Sequence, residues 1–377
     1  MYFKRSLTIK ENKMKNKLLL SSALVGTLVG GSAAVAQTTI TGSLDLTYTN
    51  VTSRTVAGNV GGTYRGLGRE SQVNIQNKGK LNNGMDYAAG FALEFDGNSN
   101  YSDTNTAATT EASTISNENV YIDFISGTTT LTFGVDHIQN SQNSLSPGAG
   151  GDVANSLDAQ HGIYTSAIGS NPKESMGMGL MQTVPNIGRV SLWYAPTASD
   201  SGGRDSRPKA NKDGRNAAYE IGFVGNLGVT GLTAKAFYNH EDKPEKATSA
   251  TSGAPGSGTP TRDFTGESFG LQYKFGAVTV GADYAKTEFA DNTDVDYSGA
   301  GIAYNLSKDV AVSYNYAKAE RTGKTVDEKI HNLAVGYSLG PVSTSIQYNK
   351  ISDAVASTGP TAGADQKYVI LKAGTAF

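Results

Sequence analysis

The sequence of 377 residues contains no cysteine, one tryptophan and only ten prolines. Without cysteine the chain forms no disulfides, which suits a protein that crosses an oxidising compartment. Beyond the N-terminal stretch there is no apolar run of about 18 residues, and this excludes a helical membrane protein, because each helical span needs about 20 apolar residues. A transmembrane β-strand needs only about 10 alternating residues, so a β-barrel remains compatible with an apolar fraction of 38%.

The first 36 residues have the pattern of a secretory signal peptide. A lysine-rich start precedes a short apolar stretch, and residues 34–36 (Ala-Val-Ala) give the small-x-small pattern of a cleavage site. Residues 14–36 alone form a complete signal, so Met14 is a possible true start. We expect residues 1–36 to be removed and residues 37–377 to form one domain.

Removal of this signal makes the chain distinctly acidic. Residues 1–36 hold six Lys and Arg side chains and one Glu, so the formal net charge falls from −2 to −7 without them. A nucleic-acid-binding protein needs a basic patch, and we therefore expect no nucleic-acid partner.

From Gln37 onward the sequence alternates with a period of two rather than the 3.6 residues of a helix. In residues 40–48, for example, apolar side chains, glycine and tyrosine occupy the even positions, and Thr, Ser and Asp occupy the odd ones. Such alternation predicts strands with one apolar and one polar face, and an all-β fold. The sixteen predicted strands are 40–49, 70–77, 85–96, 117–125, 128–136, 175–184, 187–195, 217–225, 231–240, 266–275, 277–287, 296–305, 309–319, 329–339, 342–352 and 365–377.

The connections between these segments alternate between short and long along the chain. Residues 126–127 and 185–186 are short turns, whereas 137–174 is the longest connection. Short turns on one side and long loops on the other are typical of an antiparallel outer-membrane barrel. All ten prolines lie outside the predicted strands, as a closed ladder of backbone hydrogen bonds requires. With an even number of strands, both chain ends are predicted on the short-turn side, in the periplasm.

In a membrane barrel the apolar face of each strand contacts lipid and the polar face lines water. Aromatic side chains are expected in two rows, one at each membrane interface. The long-loop row is Tyr48, Phe95, Phe133, Tyr194, Tyr219, Tyr238, Tyr316 and Tyr348, and the short-turn row is Tyr87, Phe275, Tyr304 and Phe377. The same alternation directs these charged residues inward: the acids Asp45, Glu94, Asp123, Asp136, Glu220 and Asp283, and the bases Arg189, Lys235, Lys274 and Lys372.

Several stretches together resemble the Gram-negative general porin family, and the resemblance covers residues 37–377. They are 72–84 with 87–95, 119–124 with 130–136, and 304–316. The resemblance implies a water-filled outer-membrane channel for passive diffusion of small hydrophilic solutes and ions, in contact with lipid and lipopolysaccharide. It also implies a homotrimer, for which the row of Gly42, Ala373 and Thr375 offers small side chains that let neighbouring walls approach closely. We expect no cofactor and no metal site.

The longest loop, 137–174, corresponds to the family's third outer loop, which folds into the lumen and narrows it. It contains the stretch 146–152 (Ser-Pro-Gly-Ala-Gly-Gly-Asp), which resembles the family's loop tip with its acidic residue. Glycines suit such a turn because they tolerate positive φ. The predicted constriction residues are Asp152, Asp158, Asp45, Asp123, Arg189 and Lys235.

The sequence departs from the family on the wall opposite this loop. Enterobacterial-type members carry an arginine cluster there, whereas this chain has Gln72 at the matching position, with Arg69 three residues earlier. The net charge and the excess of inward acids predict a preference for cations. The opposite outcome is open, because Arg54, Arg65 and Arg69 in the first outer loop would favour anions if they folded over the channel mouth.

The aromatic residue Phe377 resembles the family's assembly signal, which the barrel-insertion machinery reads. Leu371 and Val369 share its face, but Thr375 departs from the pattern, because that position is usually aromatic or bulky. The resemblance therefore implies the insertion machinery as a partner of the last strand.

Other functions remain open at this point. A substrate-preferring outer-membrane channel of similar size is the nearest alternative. A barrel enzyme would need a positioned base, yet the four histidines (His137, His161, His240 and His331) belong to no catalytic motif. His240, followed by Glu241 and Asp242, is the only suggestive cluster. An adhesin or lectin-like sandwich would bury its apolar faces against a second sheet and would not need alternating loop lengths.

Overall fold

In the computed structural model the chain forms an all-β, antiparallel fold. The structure describes residues 36–53, 63–96, 114–135, 176–196, 217–242, 263–289, 294–323, 326–354 and 364–377. Within these ranges no helix has the length and apolarity that a membrane crossing requires.

Sixteen strands form a closed barrel, as the alternation predicts. They are β1 (Gln37–Ser53), β2 (Thr63–Lys80), β3 (Asp86–Asp96), β4 (Thr114–Ser126), β5 (Thr129–Gly134), β6 (Gly177–Val184), β7 (Gly188–Ala195), β8 (Ala218–Gly225), β9 (Leu232–Glu241), β10 (Phe264–Phe275), β11 (Val278–Phe289), β12 (Val295–Asn305), β13 (Val310–Arg321), β14 (Glu328–Leu339), β15 (Val342–Ala354) and β16 (Ala364–Ala376). Each strand pairs with its neighbours in sequence, and β1 also pairs with β16. No sheet edge is left open, because the first and last strands close the barrel.

The two faces of each strand differ in polarity, and the apolar face points outward. On β10, Phe269, Leu271 and Tyr273 are 41–56% exposed, while the alternating Ser268 and Gln272 are nearly buried. This is the reverse of a soluble sandwich, whose apolar faces pack against a second sheet. An outer surface of exposed apolar side chains needs lipid as its solvent.

Aromatic side chains lie on the outer surface near both ends of the strands, as predicted. Toward the long connections, the rings of Tyr219 and Tyr238 lie 6.3 Å apart. Toward the short turns, the rings of Tyr273 and Phe275 stack at 6.0 Å. Such rings suit the interface between the hydrocarbon and water.

Short turns close one end of the barrel. Two of them begin with Gly127 and Gly276, each at φ 59°, a left-handed conformation that glycine adopts without steric cost. Pro185, Pro196 and Pro341, the prolines that the structure describes, all lie outside the strands. The ladder of backbone hydrogen bonds is therefore free of proline within the described residues.

The first hairpin is longer than the sequence predicts. β1 has 17 residues and β2 has 18, whereas a tilted membrane-crossing strand needs about 9–11. The register of the pair continues as far as Thr52 opposite Thr63. The hairpin is thus longer than a membrane crossing requires.

This extension corrects the placement of two arginines. Arg65 and Arg69 belong to β2 rather than to the first outer loop. They alternate with inward residues and share the outward face of Leu67, which is 84% exposed. The alternative in which these two arginines fold over the channel mouth from the first outer loop is therefore wrong, while Arg54 lies outside the described residues.

The barrel closes where Gly42 of β1 meets Phe377. The Gly42 N–H donates to the Phe377 carbonyl at 2.7 Å, and the Phe377 N–H donates to the Gly42 carbonyl at 2.9 Å. A Cβ at Gly42 would lie 2.6 Å from Cε2 and Cζ of the Phe377 ring. The ring therefore lies over the glycine, and a side chain at position 42 would displace it.

Candidate functional site

The predicted constriction residues within the described strands lie on the inner face of the barrel. Asp45 belongs to β1, Asp123 to β4, Arg189 to β7 and Lys235 to β9. Each alternates with outward apolar side chains, as Asp45 does with Leu46. Because the four strands are not neighbours, these side chains are distributed around the wall and do not form one cluster.

The remaining predicted constriction residues, Asp152 and Asp158, lie outside the described residues, as do Asp136 and the whole of 137–174. Entry of this loop into the lumen therefore stays a prediction. The described part of the candidate site therefore consists of the inward side chains of the strands.

Lys235 forms an ion pair with Asp283 across an intervening strand. Its Nζ lies 3.2 Å from Oδ1 of Asp283, and neither side chain has any exposed surface. The residues belong to β9 and β11, and Gly270 of β10 stands between them in register. A Cβ at Gly270 would lie 2.6 Å from Cε of Lys235. The absent side chain of Gly270 thus lets the two charges meet, and they offset each other locally.

Asp45 forms another inner-wall pair beside the barrel closure. Its Oδ2 lies 2.9 Å from Nζ of Lys372, with 27% of the aspartate and 33% of the lysine side chain exposed. The carboxylate lies over Gly374, its register partner on β16, where a Cβ would overlap it. Water reaches this pair, so it is more strongly screened than the buried Lys235–Asp283 pair.

Glu220 belongs to a row of buried side chains on the inner wall. Its register partners are Trp193 on β7 and Asn239 on β9. All three are at most 2% exposed. A carboxylate at this depth depends on hydrogen bonds or opposite charge instead of bulk water. The inward acids are therefore not all available to ions in the lumen.

The sequence analysis did not identify two further acids of the inner wall, Glu241 and Glu328. Glu241 at the end of β9 is 0% exposed, and Glu328 at the start of β14 is 4% exposed. Oε2 of Glu328 lies 3.9 Å from Nη2 of Arg321, which ends β13. Each acid stands one residue beyond the predicted strand, so extending the alternation by one position would have identified both.

One part of the inner wall is apolar. The inner apolar patch comprises Phe237, Ala285, Val295, Tyr297, Ala317, Ala319, Ile330 and Ile351. These residues lie toward the long-connection ends of β9 and of β11 to β15, and all are at most 8% exposed. Such a patch contrasts with the polar interior expected of a water-filled barrel.

The suggestive histidine cluster is divided between the two faces of β9. His240 lies on the outer face, where its ring is 5.4 Å from that of Tyr219 and its Nε2 is 2.8 Å from Oδ1 of Asp242. Glu241 points inward and is fully buried. The two side chains cannot act on one substrate. Within the described ranges, no group of three or more His, Asp or Glu side chains is arranged to hold a metal ion.

The sequence matches the family model described as Gram-negative porin over residues 21–373. No curated protein matches it significantly. This match covers nearly all of the chain, including every strand except the end of β16.

Solved structures share the same architecture. The anion-selective porin from Comamonas acidovorans is 13% identical, with a TM-score of 0.60 over 91% of this chain and 100% of that one. The trimer form of OmpT, an outer-membrane protein of Vibrio cholerae, is 12% identical, with a TM-score of 0.52 over 91% and 99%. A triple mutant of the Rhodopseudomonas blastica porin is 12% identical, with a TM-score of 0.51 over 90% and 100%. At such identities the likeness concerns the fold alone.

The family match, the closed sixteen-strand barrel, its apolar exterior and its polar interior lead to one conclusion. A barrel of this size encloses water, and lipid surrounds it. The chain belongs to the Gram-negative porin family, and it forms a channel for passive diffusion across the bacterial outer membrane.

Proposed function

We propose that the channel is a general diffusion porin for small hydrophilic solutes and ions, without catalytic activity. The polar inner wall of the closed barrel is the main support for a channel that hydrophilic solutes can cross. The lack of catalytic activity is supported by the histidine cluster, because His240 lies on the outer face of β9 and Glu241 on the inner face. The test is the conductance of single channels in a planar bilayer. A general porin gives a conductance that rises in proportion to salt, whereas saturation by one class of solute indicates a binding channel.

Loop 137–174 is proposed to enter the lumen and to narrow it, with Asp152 and Asp158 at the narrowest point. The inner apolar patch supports this placement, since Ile330 and Ile351 face the interior and yet are 2% and 0% exposed. Covering apolar surface gains about 25 cal/mol per Å². The longest connection of the chain begins and ends at the same rim as the patch, and it has the length to cover it.

A preference for cations is the expected result in a KCl gradient. The Lys235–Asp283 and Asp45–Lys372 pairs offset their own charges, so Asp152 and Asp158 become the decisive carboxylates. A narrow opening lined by carboxylates concentrates cations and repels small anions. The double substitution D152N/D158N is expected to reduce the cation-to-anion permeability ratio by about twofold or more, as measured by reversal potentials. The difference should shrink at 1 M salt, where the Debye length is about 3 Å.

The matched control for this experiment is D296N/E320Q, which removes two acids from the outer surface. Asp296 accepts a hydrogen bond from the Tyr284 hydroxyl at 2.9 Å, and Glu320 pairs with Lys318 at 2.5 Å. Selectivity should not change in this variant, because neither acid faces the lumen. A wild-type preference for chloride, or equal effects of the two double substitutions, would contradict the acidic constriction.

A homotrimer packed along outward apolar faces is the proposed assembly, and the trimer form of the Vibrio cholerae structure supports it. Within the predicted row of small residues, the ring of Phe377 already covers Gly42, which leaves Ala373 and Thr375 on the outer face. We expect light scattering in mild detergent to give three chains per particle. A mass of one chain per particle at every detergent concentration would count against the trimer.

Phe377, Leu371 and Val369 are proposed as the signal that the barrel-insertion machinery reads. They share the outward face of the β16 segment, and Phe377 and Leu371 are 51% and 43% exposed. Side chains on this face are accessible to a partner before lipid covers them. The machinery therefore recognises the strand that also closes the barrel.

A further inference from the structure

Three inward basic side chains lie near the short-turn end of the barrel and are named here the basic mouth. Lys78 stands two residues before the end of β2, Arg189 is the second residue of β7, and Lys274 is the last but one of β10. Each belongs to the inward row of its strand, as Lys274 does by following the inward Gln272 and the outward Tyr273. Because at least two other strands separate any two of these three, the charges surround the opening instead of forming one cluster.

The other charges at this end do not neutralise the basic mouth. Within the described residues none of its three bases forms an ion pair with a carboxylate. Lys80 and Asp86, which are inward by the same alternation, lie 2.6 Å apart and offset each other. Asp123 is only 7% exposed, so it contributes little to the field in the lumen. The short-turn end therefore presents net positive charge to the water inside the barrel.

The inward charges toward the long connections are mostly acids. Glu70 on β2 is exposed and Glu94 on β3 is partly exposed. Glu70 also stands opposite Asp45 in register, so two carboxylates face each other there. Within the described strands the inward base of this half is Arg321, and it lies 3.9 Å from the acid Glu328. The two halves of the inner wall thus differ in the sign of their charge.

The two ends are far enough apart to act separately. Lys78 is the register partner of Ala88, and Glu94 lies six residues further along β3. At about 3.3 Å per residue this is about 20 Å along the strand, about twice the Debye length of about 10 Å at 0.1 M salt. Between the ends, the two ion pairs of the inner wall described above offset their own charges. The lumen therefore carries a charge asymmetry along its axis.

We propose that this axial asymmetry makes the channel rectify ion current, with the basic mouth as the determinant. When the long-connection side is positive, cations enter past the acids and anions enter past the basic mouth, so both accumulate in the lumen and carry more current. At the opposite polarity each ion first meets the end that repels it, and the lumen is depleted of ions. Rectification is measured in symmetric salt, so it goes beyond the proposed general diffusion and does not depend on the proposed preference for cations.

The experiment records single channels of the full-length barrel in symmetric KCl at both polarities. At about 100 mV of either sign, the two currents should differ by about 1.5-fold in 0.1 M salt and by less than about 1.1-fold in 1 M salt, where the Debye length is about 3 Å. The variant K78Q/R189Q/K274Q should lose at least half of the difference in 0.1 M salt. A heat-modifiable gel shift checks that every variant is folded.

The matched control is R65Q/R69Q/K350Q, which changes the net charge by the same amount. Arg65 and Arg69 share the outward face of β2, and Lys350 stands between the buried inward residues Asn349 and Ile351 of β15. Because none of the three faces the lumen, this variant should keep the wild-type ratio of the two currents.

The absence of cysteine allows the charge at one position to be set in a working channel. The variant K274C should rectify less than wild type. A methanethiosulfonate reagent that attaches an ammonium group should restore the difference, and one that attaches a sulfonate group should lower it further. Both reagents act after insertion, so folding does not enter the comparison. Faster reaction from one side of the bilayer identifies the short-turn side, which fixes the orientation of each channel.

Several results would overturn the proposal. These are equal currents at both polarities in wild type at 0.1 M salt, a larger current when the long-connection side is negative, and a difference that persists at 1 M. Equal effects of the two triple variants, or of the two reagents on K274C, would also overturn it. Failure of general diffusion has a separate signature, because it shows as saturation of the conductance by one class of solute.

Discussion

Replacement of Asp283 by alanine is expected to lower the free energy of unfolding by about 3–5 kcal/mol. Lys235 lies 3.2 Å from Asp283 and neither side chain has exposed surface, so loss of the carboxylate removes a negative charge that the buried ammonium faces at close range. The measurement is urea unfolding in detergent, followed by the fluorescence of Trp193. This residue is the only tryptophan of the chain and is 2% exposed when folded.

The matched control is Asp45→Ala, which breaks an ion pair that water reaches. Because the Asp45 and Lys372 side chains are 27% and 33% exposed, the expected loss is only about 0.2–1 kcal/mol. The double substitution K235M/D283L removes both buried charges and should recover most of the stability that Asp283→Ala loses. Equal losses for the two single substitutions, or no recovery in the double variant, would show that the buried pair does not stabilise the wall.

The second large effect is expected where the barrel closes. Gly42→Val and Phe377→Ala should each lower the free energy of unfolding by about 1–3 kcal/mol. The first displaces the ring, because a Cβ at position 42 would lie 2.6 Å from it, and the second removes the ring. The two hydrogen bonds between these residues join backbone atoms, so neither substitution removes a donor or an acceptor. Urea unfolding and the gel shift of unboiled samples provide the measurements.

A double-mutant cycle tests whether the ring and the glycine act together. Once Phe377 is alanine, a valine at position 42 has no ring to displace, so the combined loss should be clearly smaller than the sum of the two single losses. Additive losses would mean that the close contact is not the reason for glycine at this position.

The same variants separate stability from recognition by the insertion machinery. Refolding into lipid vesicles needs no machinery, so there Gly42→Val and Phe377→Ala should have similar yields. In cells Phe377→Ala should reduce the amount of inserted barrel more than Gly42→Val does, because only that variant lacks the aromatic side chain. Equal insertion of the two variants in cells would contradict the proposal that the insertion machinery recognises the side chain of Phe377.

The strands were largely predictable because a membrane barrel imposes one rule on each of them. Lipid on one side and water on the other require alternation, and alternation is visible without knowledge of any partner strand. The rule fails at the start of β2, where Gly66 and Gly68 stand at inward positions and Arg65 and Arg69 at outward ones. Glycine and charge weaken the strand signal there, although pairing with β1 continues.

The sequence predicts which residues face the inner wall better than it predicts which of them contact each other. Alternation directs Lys235 and Asp283 inward, but it does not reveal that they meet. Their pairing depends on the register of β9, β10 and β11 and on the glycine between them, which are properties of three strands together. The same reason explains why two opposed lysines, Lys350 and Lys367, cannot be recognised from a single strand.

The pairing of β1 with β16 also constrains how the protein folds. Ser43 pairs with Ala376, so a contact across nearly the whole chain is needed before the barrel is complete. Such a contact is slow to form, because loop closure must precede the stabilisation that it brings. Until then the first strand presents unpaired N–H and C=O groups, which invite pairing with other chains. An assembly factor that shields this edge until β16 arrives would shorten the aggregation-prone stage, and a chain that lacks β16 would remain an open sheet.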